Sequence, residues 1–358
     1  MPPNISNYLI ADTASIRQVT EIVNKNRVGI VLVVDNDGVL LGTITDGDIR
    51  RAILAGVDFG GKATKIMCDK PVVARAGVRP EMIRTMMEEY RLHHIPIVDE
   101  RRRPVELCHV EQFLERPRGF SMAVVMAGGD GERLRPITDS IPKPMVRVGD
   151  RPVLEHILRS LVESGVRKFY FSVNYKAEVI DRYFGDGQAF GVAIEYLRES
   201  QKLGTAGSLK LLPETPNGPF LVINGDVLTT ADFRSLFSFH TSHRSVLTVA
   251  AAEYRLQIPY ATLKLGNHYL LGMEEKPEVR FHCNAGIYAV DPEVLRFIPE
   301  GSSSDMTTVV DELLRNGLPV SVFPIYEFWV DIGNPEDLKR ARQDLPISFS
   351  GKEKVNKE

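Results

Sequence analysis

The residues best suited to chemistry lie in one string, AVVMAGGDGERLRPITDSIPKPMV, residues 123–146. Ala123 to Ala127 is a short apolar run ending in glycines, which reads as a buried strand. Gly128, Gly129 and Gly131 then allow a turn whose bare N–H groups can cradle a phosphate or a base edge. Arg133 follows and supplies a forked cation suited to polyphosphate. Lys143 stands between Pro142 and Pro144, so its backbone is stiff and its ammonium is held in place. The spacing matches neither G-x-G-x-x-G nor G-x-x-x-x-G-K-[ST], and the loop by itself is equally consistent with a plain turn.

The whole string says more. The glycine loop, Arg133-Leu134-x-Pro136 and Pro142-Lys143-Pro144 together resemble the signature of the sugar-1-phosphate nucleotidyltransferases. Four further segments follow in that family's order: Leu203-Gly204-Thr205-Ala206-Gly207, Asn224-Gly225-Asp226, Glu275-Lys276-Pro277 and Trp329-x-Asp331. The resemblance spans about 120–345. It implies that a sugar-1-phosphate oxygen attacks the α-phosphate of a nucleoside triphosphate and that pyrophosphate leaves in line. Such a nucleophile is already anionic, so positioning and charge neutralisation carry the rate. By the same resemblance Asp226 and Asp331 hold Mg²⁺, a hard ion that prefers carboxylate and phosphate oxygens. Arg133 holds the departing pyrophosphate, Lys143 the phosphates at the reacting centre, and Lys276 the sugar phosphate. Glu275 and Asn284 address sugar hydroxyls. Backbone groups of Ala127, Gly128, Gly129 and Gly131, with Gly204 and Thr205, line the nucleotide. One position departs from the family: Glu132 stands where a Thr or Ser usually precedes the arginine. A carboxylate there repels a triphosphate unless it points away or helps hold metal.

Strands and helices must alternate to position these residues. Strand Ala123–Met126, helix 152–163, strand Lys168–Val173, helix 177–183, strand 193–196, helix Ser208–Leu212 and strand 219–223 give a βαβ rhythm. That rhythm predicts a Rossmann-like α/β domain with a mostly parallel sheet, its ligand site at the carboxyl ends of the strands. Later, Asn284 begins a strand and Trp329–Asp331 ends one. Asn334, Pro335 and Asp337 then read as the N-cap, first turn and N3 of a helix. Residues 346–358 are polar and lack an apolar period, so a disordered tail is expected. His240 and His243 share a helix spacing, but no third ligand is evident nearby, so no metal site is expected there.

Residues 1–118 hold a repeat with a period of about 63 residues by alignment of its turns and strand ends. Each copy reads as a helix, a strand, a turn and a second strand. This α+β half resembles a tandem pair of CBS domains, on the match Gly42-Thr43-Ile44-Thr45-Asp46-Gly47-Asp48 to G-x-x-[ST]-x-x-D. The resemblance implies an adenine nucleotide bound through Thr45 and Asp48; a platform for association is the alternative. In the second copy the matching positions are Val105, Cys108 and Glu111, without the hydroxyl. Glu115 to Gly119 reads as a linker to the domain at 119–345.

Composition excludes other classes. The 358 residues are 43% hydrophobic and 25% charged with a net charge of −3, which leaves no nucleic-acid footprint. Three scattered cysteines argue against a disulfide framework or a zinc site. With neither a secretory pattern at the N-terminus nor a long apolar run, the expected setting is the cytoplasm, away from membranes.

The string Leu203–Gly207 looks most like the guanylyltransferase branch, so GTP is the expected nucleotide. Fusion to a CBS pair resembles enzymes that make GDP-activated amino sugars for nonulosonic (legionaminic) acid pathways. Glucosamine-, N-acetylglucosamine-, mannose- and heptose-1-phosphate are the candidate acceptors. A uridylyl- or cytidylyltransferase of the same fold, and a non-catalytic sensor of nucleotide or sugar nucleotide, remain open alternatives. CBS pairs associate through their own faces, so a homo-oligomer is expected.

Overall fold

The computed structural model describes residues 5–26, 28–110 and 119–353, the stretch 345–353 by its backbone alone. The chain divides into two compact units, Met1–Arg118 and Gly119–Glu358.

The first unit realises the repeat as two three-stranded sheets. In one, Leu9–Ala11 runs parallel to Ile30–Val34, which pairs antiparallel with Leu40–Thr45. In the other, Ala74–Arg75 runs parallel to His94–Val98, which pairs antiparallel with Pro104–His109. Both antiparallel pairs carry a bulge at the same place, between Val33 and Val34 and between Ile97 and Val98. Their registers correct the repeat alignment by one residue. Ile30 opposes Thr45 as His94 opposes His109, so the counterpart of Thr45 is His109 rather than Cys108. Cys108 is buried and points the other way, as strand alternation requires. Glu111 and the linker residues before Gly119 lie outside the described residues.

The second unit is built on a seven-stranded sheet. Its strands lie in the order Ala193–Arg198, Lys168–Val173, Met122–Met126, Phe220–Asn224, Glu278–Val290, Leu247–Gln257 and Val320–Ile325. All pairings are parallel except the two made by Glu278–Val290. The apolar strands are buried on both faces, and the period of two divides them between two cores. Ala123, Val125, Phe169, Phe171, Leu221 and Ile223 face one core. Met122, Val124, Tyr170, Phe220 and Val222 face the other. Helix Val153–Glu163 covers the first face with Leu154, Ile157, Leu158 and Leu161. Helix Met306–Arg315 covers the second with Met306, Val309 and Leu313.

Three expectations change. The helix expected at Ser208–Leu212 begins earlier, as a short turn Gly204–Gly207, and then tightens into a 3₁₀ turn over Ser208–Leu211. The N–H groups of Ala206 and Gly207 both donate to Ser304 O, at 2.9 and 3.0 Å, which draws the turn forward. Asn284 lies inside the strand Glu278–Val290 instead of beginning it, because pairing with Leu247–Gln257 continues outward to Glu278. The tail expected to be disordered from 346 is helical to Glu353, in the helix Pro335–Glu353. Asn334 Oδ1 caps that helix by accepting from Asp337 N at 2.9 Å, and Leu338 and Ala341 are buried. Once nucleated and anchored, a helix adds residues at one hydrogen bond each.

Candidate active site

The strand order of the sheet reverses between Met122–Met126 and Phe220–Asn224, which are parallel neighbours. Both release their loops at the same edge, where an open α/β sheet forms its ligand crevice. The glycine loop leaves the first strand, and Asn224-Gly225-Asp226 leaves the second. Gly225 N donates to Met126 O at 2.9 Å, and this holds the two loops together.

A small ladder then brings in a distant residue. Val227–Thr229 pairs antiparallel with Trp329–Asp331, with Val227 opposite Asp331. Ile332 N donates to Asp226 O at 3.0 Å. Asp226 and Asp331 are thereby placed side by side, and Lys143 reaches between them. Its Nζ contacts Asp226 Oδ2 and stands 3.8 Å from Asp331 Oδ1. The lysine is only 12% exposed. Its turn, Lys143–Met145, is stiffened by Pro142 and by buried Pro144. Burial raises the pKa of Asp331, and the Asp226 charge adds to that rise, while Lys143 and Arg133 pull it down. Arg133 therefore lies on the same side of the site. A Cβ built on Gly333 would stand 3.5 Å from its Nη2.

Asp226 Oδ1 and Asp331 Oδ1 are buried without a hydrogen-bond partner. Two such orphaned carboxylate oxygens suit a hard divalent cation that takes its other ligands from phosphate and water. Among the described residues no group of three or more His, Cys, Asp or Glu side chains is arranged for a metal. The aspartate pair thus fits a magnesium held jointly with substrate, and not an all-protein cage.

The glycine loop is shaped by close neighbours. Gly131 has φ of 65°, and a Cβ on it would come within 2.9 Å of Lys143 Cβ. A Cβ on Gly128 would lie 2.9 Å from Glu199 Oε1. Gly129 faces open space. The Ala127 N–H is already given to Ser172 O at 2.8 Å, so that donor is committed to the fold.

Sequence reasoning missed Glu199 and Asp305. Glu199 accepts from Ser172 Oγ at 2.5 Å and from Leu203 N at 3.0 Å, so one carboxylate ties the strand Lys168–Val173 to the Leu203–Gly207 turn. Asp305 Oδ1 accepts from Thr205 N at 2.9 Å and from Thr205 Oγ1 at 3.2 Å. Thr205 Oγ1 in turn accepts from Met306 N at 3.0 Å, so its hydroxyl serves the helix start. The backbone of Gly204 and Thr205 is what the turn can offer a ligand. Nothing local in sequence links Glu199 to Ser172 or Asp305 to Thr205. Only the crossing of separate loops at the strand ends does. Glu199→Ala should raise the KM for the nucleotide about tenfold, since the two charge-assisted hydrogen bonds that hold the Leu203–Gly207 turn against the sheet are lost. Initial-rate kinetics at saturating acceptor checks this.

Asn284 lies on the strand that pairs with Phe220–Asn224. Its Nδ2 donates to the Tyr288 hydroxyl at 2.7 Å, and its Oδ1 accepts from Gly286 N at 3.0 Å. Gly286 packs against Asn224, the residue at the end of the central strand. Glu275 and Lys276 occupy an exposed turn between the strands Tyr269–Glu274 and Glu278–Val290. Among the described residues no side-chain hydrogen bond or ion pair joins either to the aspartate pair. His240 is buried, bonded through Nδ1 to Thr248 Oγ1 at 2.8 Å and through Nε2 to Asp291 Oδ1 at 3.3 Å. His243 stacks on Phe239.

Residues 122–347 match the nucleotidyl transferase family over most of the chain's length. The chain belongs to the nucleotidyl transferase family. Residues 6–55 and 63–118 match the CBS domain, so a CBS pair precedes the nucleotidyl transferase half. That half is 36% identical over 223 residues to mannose-1-phosphate guanyltransferase 2 of Candida glabrata, covering 60% of this chain and 62% of the relative. It is 34% identical over 239 residues to a UTP–glucose-1-phosphate uridylyltransferase of Synechocystis, covering 61% and 62%. The chain thus spans about three fifths of the length of these curated relatives. A crystal structure described as a putative glucose-1-phosphate thymidylyltransferase from Bacillus anthracis shares the fold. It superposes with a TM-score of 0.51 at 24% identity, covering 62% of this chain and 94% of that one.

In the CBS half, Thr45 and Asp48 are adjacent but spent on each other. Thr45 caps the helix Asp46–Leu54, donating from N and Oγ1 to Asp48 Oδ2 at 2.7 and 2.6 Å. Asp48 Oδ1 is ion-paired with Arg51.

Proposed function

We propose that this chain transfers a nucleoside monophosphate from a nucleoside triphosphate to a sugar-1-phosphate and releases pyrophosphate. The observation that carries the reading is the Asp226–Lys143–Asp331 cluster at the strand ends, beside a glycine loop. Magnesium bound by the two aspartates would neutralise charge on the phosphate being transferred. Lys143 would then release Asp226 and turn to the phosphates, and Arg133 would face the departing pyrophosphate. Asn224, two residues before Asp226, and Asn284, on the neighbouring strand, would stand on the sugar side. Lys276 and Glu275 belong to this reading as acceptor-binding groups on their exposed turn.

GTP is the favoured nucleotide, on the support of the mannose-1-phosphate guanyltransferase relative. The uridylyltransferase relative at similar identity supports UTP as the second reading. Competition between GTP and UTP at equal concentration, with products separated by mass, decides between them. Mannose- and amino-sugar-1-phosphates are the proposed acceptors. No helix among the described residues is long and apolar enough to cross a membrane. Exposed Leu263, Leu265, Tyr269 and Leu271 on the hairpin Thr262–Glu274 support a homo-oligomer, since apolar surface of that kind favours association.

The CBS pair would bind an adenine nucleotide at Thr45 and Asp48, with Arg51 freed to meet its phosphate. Titration of the full chain with AMP should give binding heat that is lost in Thr45→Val. No heat from the unsubstituted chain would remove this site from the account. AMP is chosen because it lacks the triphosphate that the other half requires.

A further inference from the structure

The glycine loop poses an electrostatic problem. It carries Asp130 and Glu132 on either side of Gly131, where the proposed function places a triphosphate. Two carboxylates at that position oppose a polyanion. Arg133 faces the other side, toward Gly333 and Asp331, and Lys143 is held by the aspartates. A different cation meets the acidic side of the loop. Lys202 Nζ donates to Asp130 Oδ2.

Lys202 is well placed for more than a surface pair. The backbone on either side of it is fixed. Glu199 N donates to Val173 O at 3.0 Å, Leu203 N to Glu199 Oε2 at 3.0 Å, and Gln201 Nε2 to Gly301 O at 2.9 Å. The lysine side chain itself is 73% exposed and able to move. Beside Asp130, a Cβ on Gly129 would meet nothing within 4 Å, so the loop is open next to the ammonium. Asp130, and then Glu132, hold the Lys202 pKa above its usual value, which places both acids in its field.

We propose that Lys202 is a triphosphate-binding residue that exchanges Asp130 for a phosphate oxygen when the nucleotide enters. An exposed ion pair is weak in water, so leaving Asp130 costs little. A triphosphate concentrates more charge than one carboxylate and offers several oxygens to the ammonium. Lys202 then offsets the charge of Asp130 and Glu132 on the phosphate. In the nucleotide-free protein Asp130 competes for the lysine.

This inference rests on the proposed nucleotidyl transfer, and it makes a prediction of opposite signs. KM for the nucleoside triphosphate is measured with the full chain at saturating sugar phosphate. Lys202→Ala should raise it about tenfold, because a charge-assisted contact to substrate is lost. Lys202→Arg should restore most of the affinity. Asp130→Asn should lower KM about two- to threefold, because the competing acid is removed. If the pair serves only to hold the two loops together, both Asp130→Asn and Lys202→Ala break it and KM moves the same way in each. That result, or an unchanged KM in Lys202→Ala, overturns the inference while leaving the functional reading intact. Absence of turnover in the unsubstituted chain with every substrate pair overturns the functional reading first, and the inference with it.

Discussion

Asp226→Asn should lose turnover by about a thousandfold and keep its fold. The size follows from the charge that phosphoryl transfer must neutralise: one preorganised electrostatic contact is worth about 10²–10³ in rate, and an ion position held by only two carboxylates suffers more when one is lost. The fold survives because Asn keeps the shape of the side chain and an oxygen for Lys143 to donate to. The neighbours of Asp226 are held by the backbone in any case, through Gly225 N on Met126 O and Ile332 N on Asp226 O. Alanine would leave Lys143, which is almost buried, with only Asp331 at 3.8 Å, so Asn is the cleaner test. Pyrophosphate release as a function of magnesium, beside a thermal melt, separates the two effects. A variant that melts normally and turns over at near-normal rate would remove the aspartate pair from the chemistry.

Asp331→Asn should lose turnover to a similar degree and make the metal-free protein slightly more stable. The sign comes from its raised pKa, caused first by burial and then by the charge of Asp226. A carboxyl whose folded pKa lies above its unfolded one favours folding in its protonated form. Its contribution is complete below the unfolded value and is lost as pH rises through the folded value. At neutral pH the ionised group therefore opposes folding, and Asn removes that opposition. The gain is small, about 1–3 °C in Tm, because Asp331 is 44% exposed and its charge is partly screened. The difference in Tm should shrink as pH falls from above the raised value of Asp331 to the ordinary carboxylate value. Magnesium with nucleotide should stabilise the unsubstituted chain and not the variant. A lower Tm for the variant at neutral pH would show that attraction by Lys143 and Arg133 outweighs burial. Loss of stability for the sake of a poised charge is a common cost of function.

Most of the architecture was legible in the sequence because apolar strands and turn residues punctuate it. Strand Lys168–Val173 has the bounds its apolar run predicts, and the strand expected at Ala123–Met126 differs by one residue, beginning at Met122. Asp226 and Asp331 could be paired from the resemblance. The ladder that joins them, Val227–Thr229 with Trp329–Asp331, has no local signal, since its strands are three residues each. Glu199, Asp305 and Lys202 were invisible for the same reason. Each acts across loops that only the sheet order brings together. The length of Glu278–Val290 was underestimated because its outer half is exposed and mixed in character, and so carries no apolar alternation. The repeat register slipped by one because Cys108 and His109 are adjacent and only backbone pairing shows which of them stands in the place of Thr45. The tail misled because composition reports what a segment can bury and not what the helix before it can propagate into it.

The central claim is nucleotidyl transfer at the Asp226–Lys143–Asp331 cluster. Its most direct test is pyrophosphate release by the full chain with magnesium, crossing GTP, UTP, CTP, ATP and dTTP against a panel of sugar-1-phosphates. The account predicts release that needs both substrates and magnesium, strongest with GTP and a mannose- or amino-sugar-1-phosphate. Release with another nucleotide would keep the chemistry and replace the base. No release with any pair, from protein that is folded and binds nucleotide, would contradict the account and leave a sensor of nucleotide or sugar nucleotide in its place.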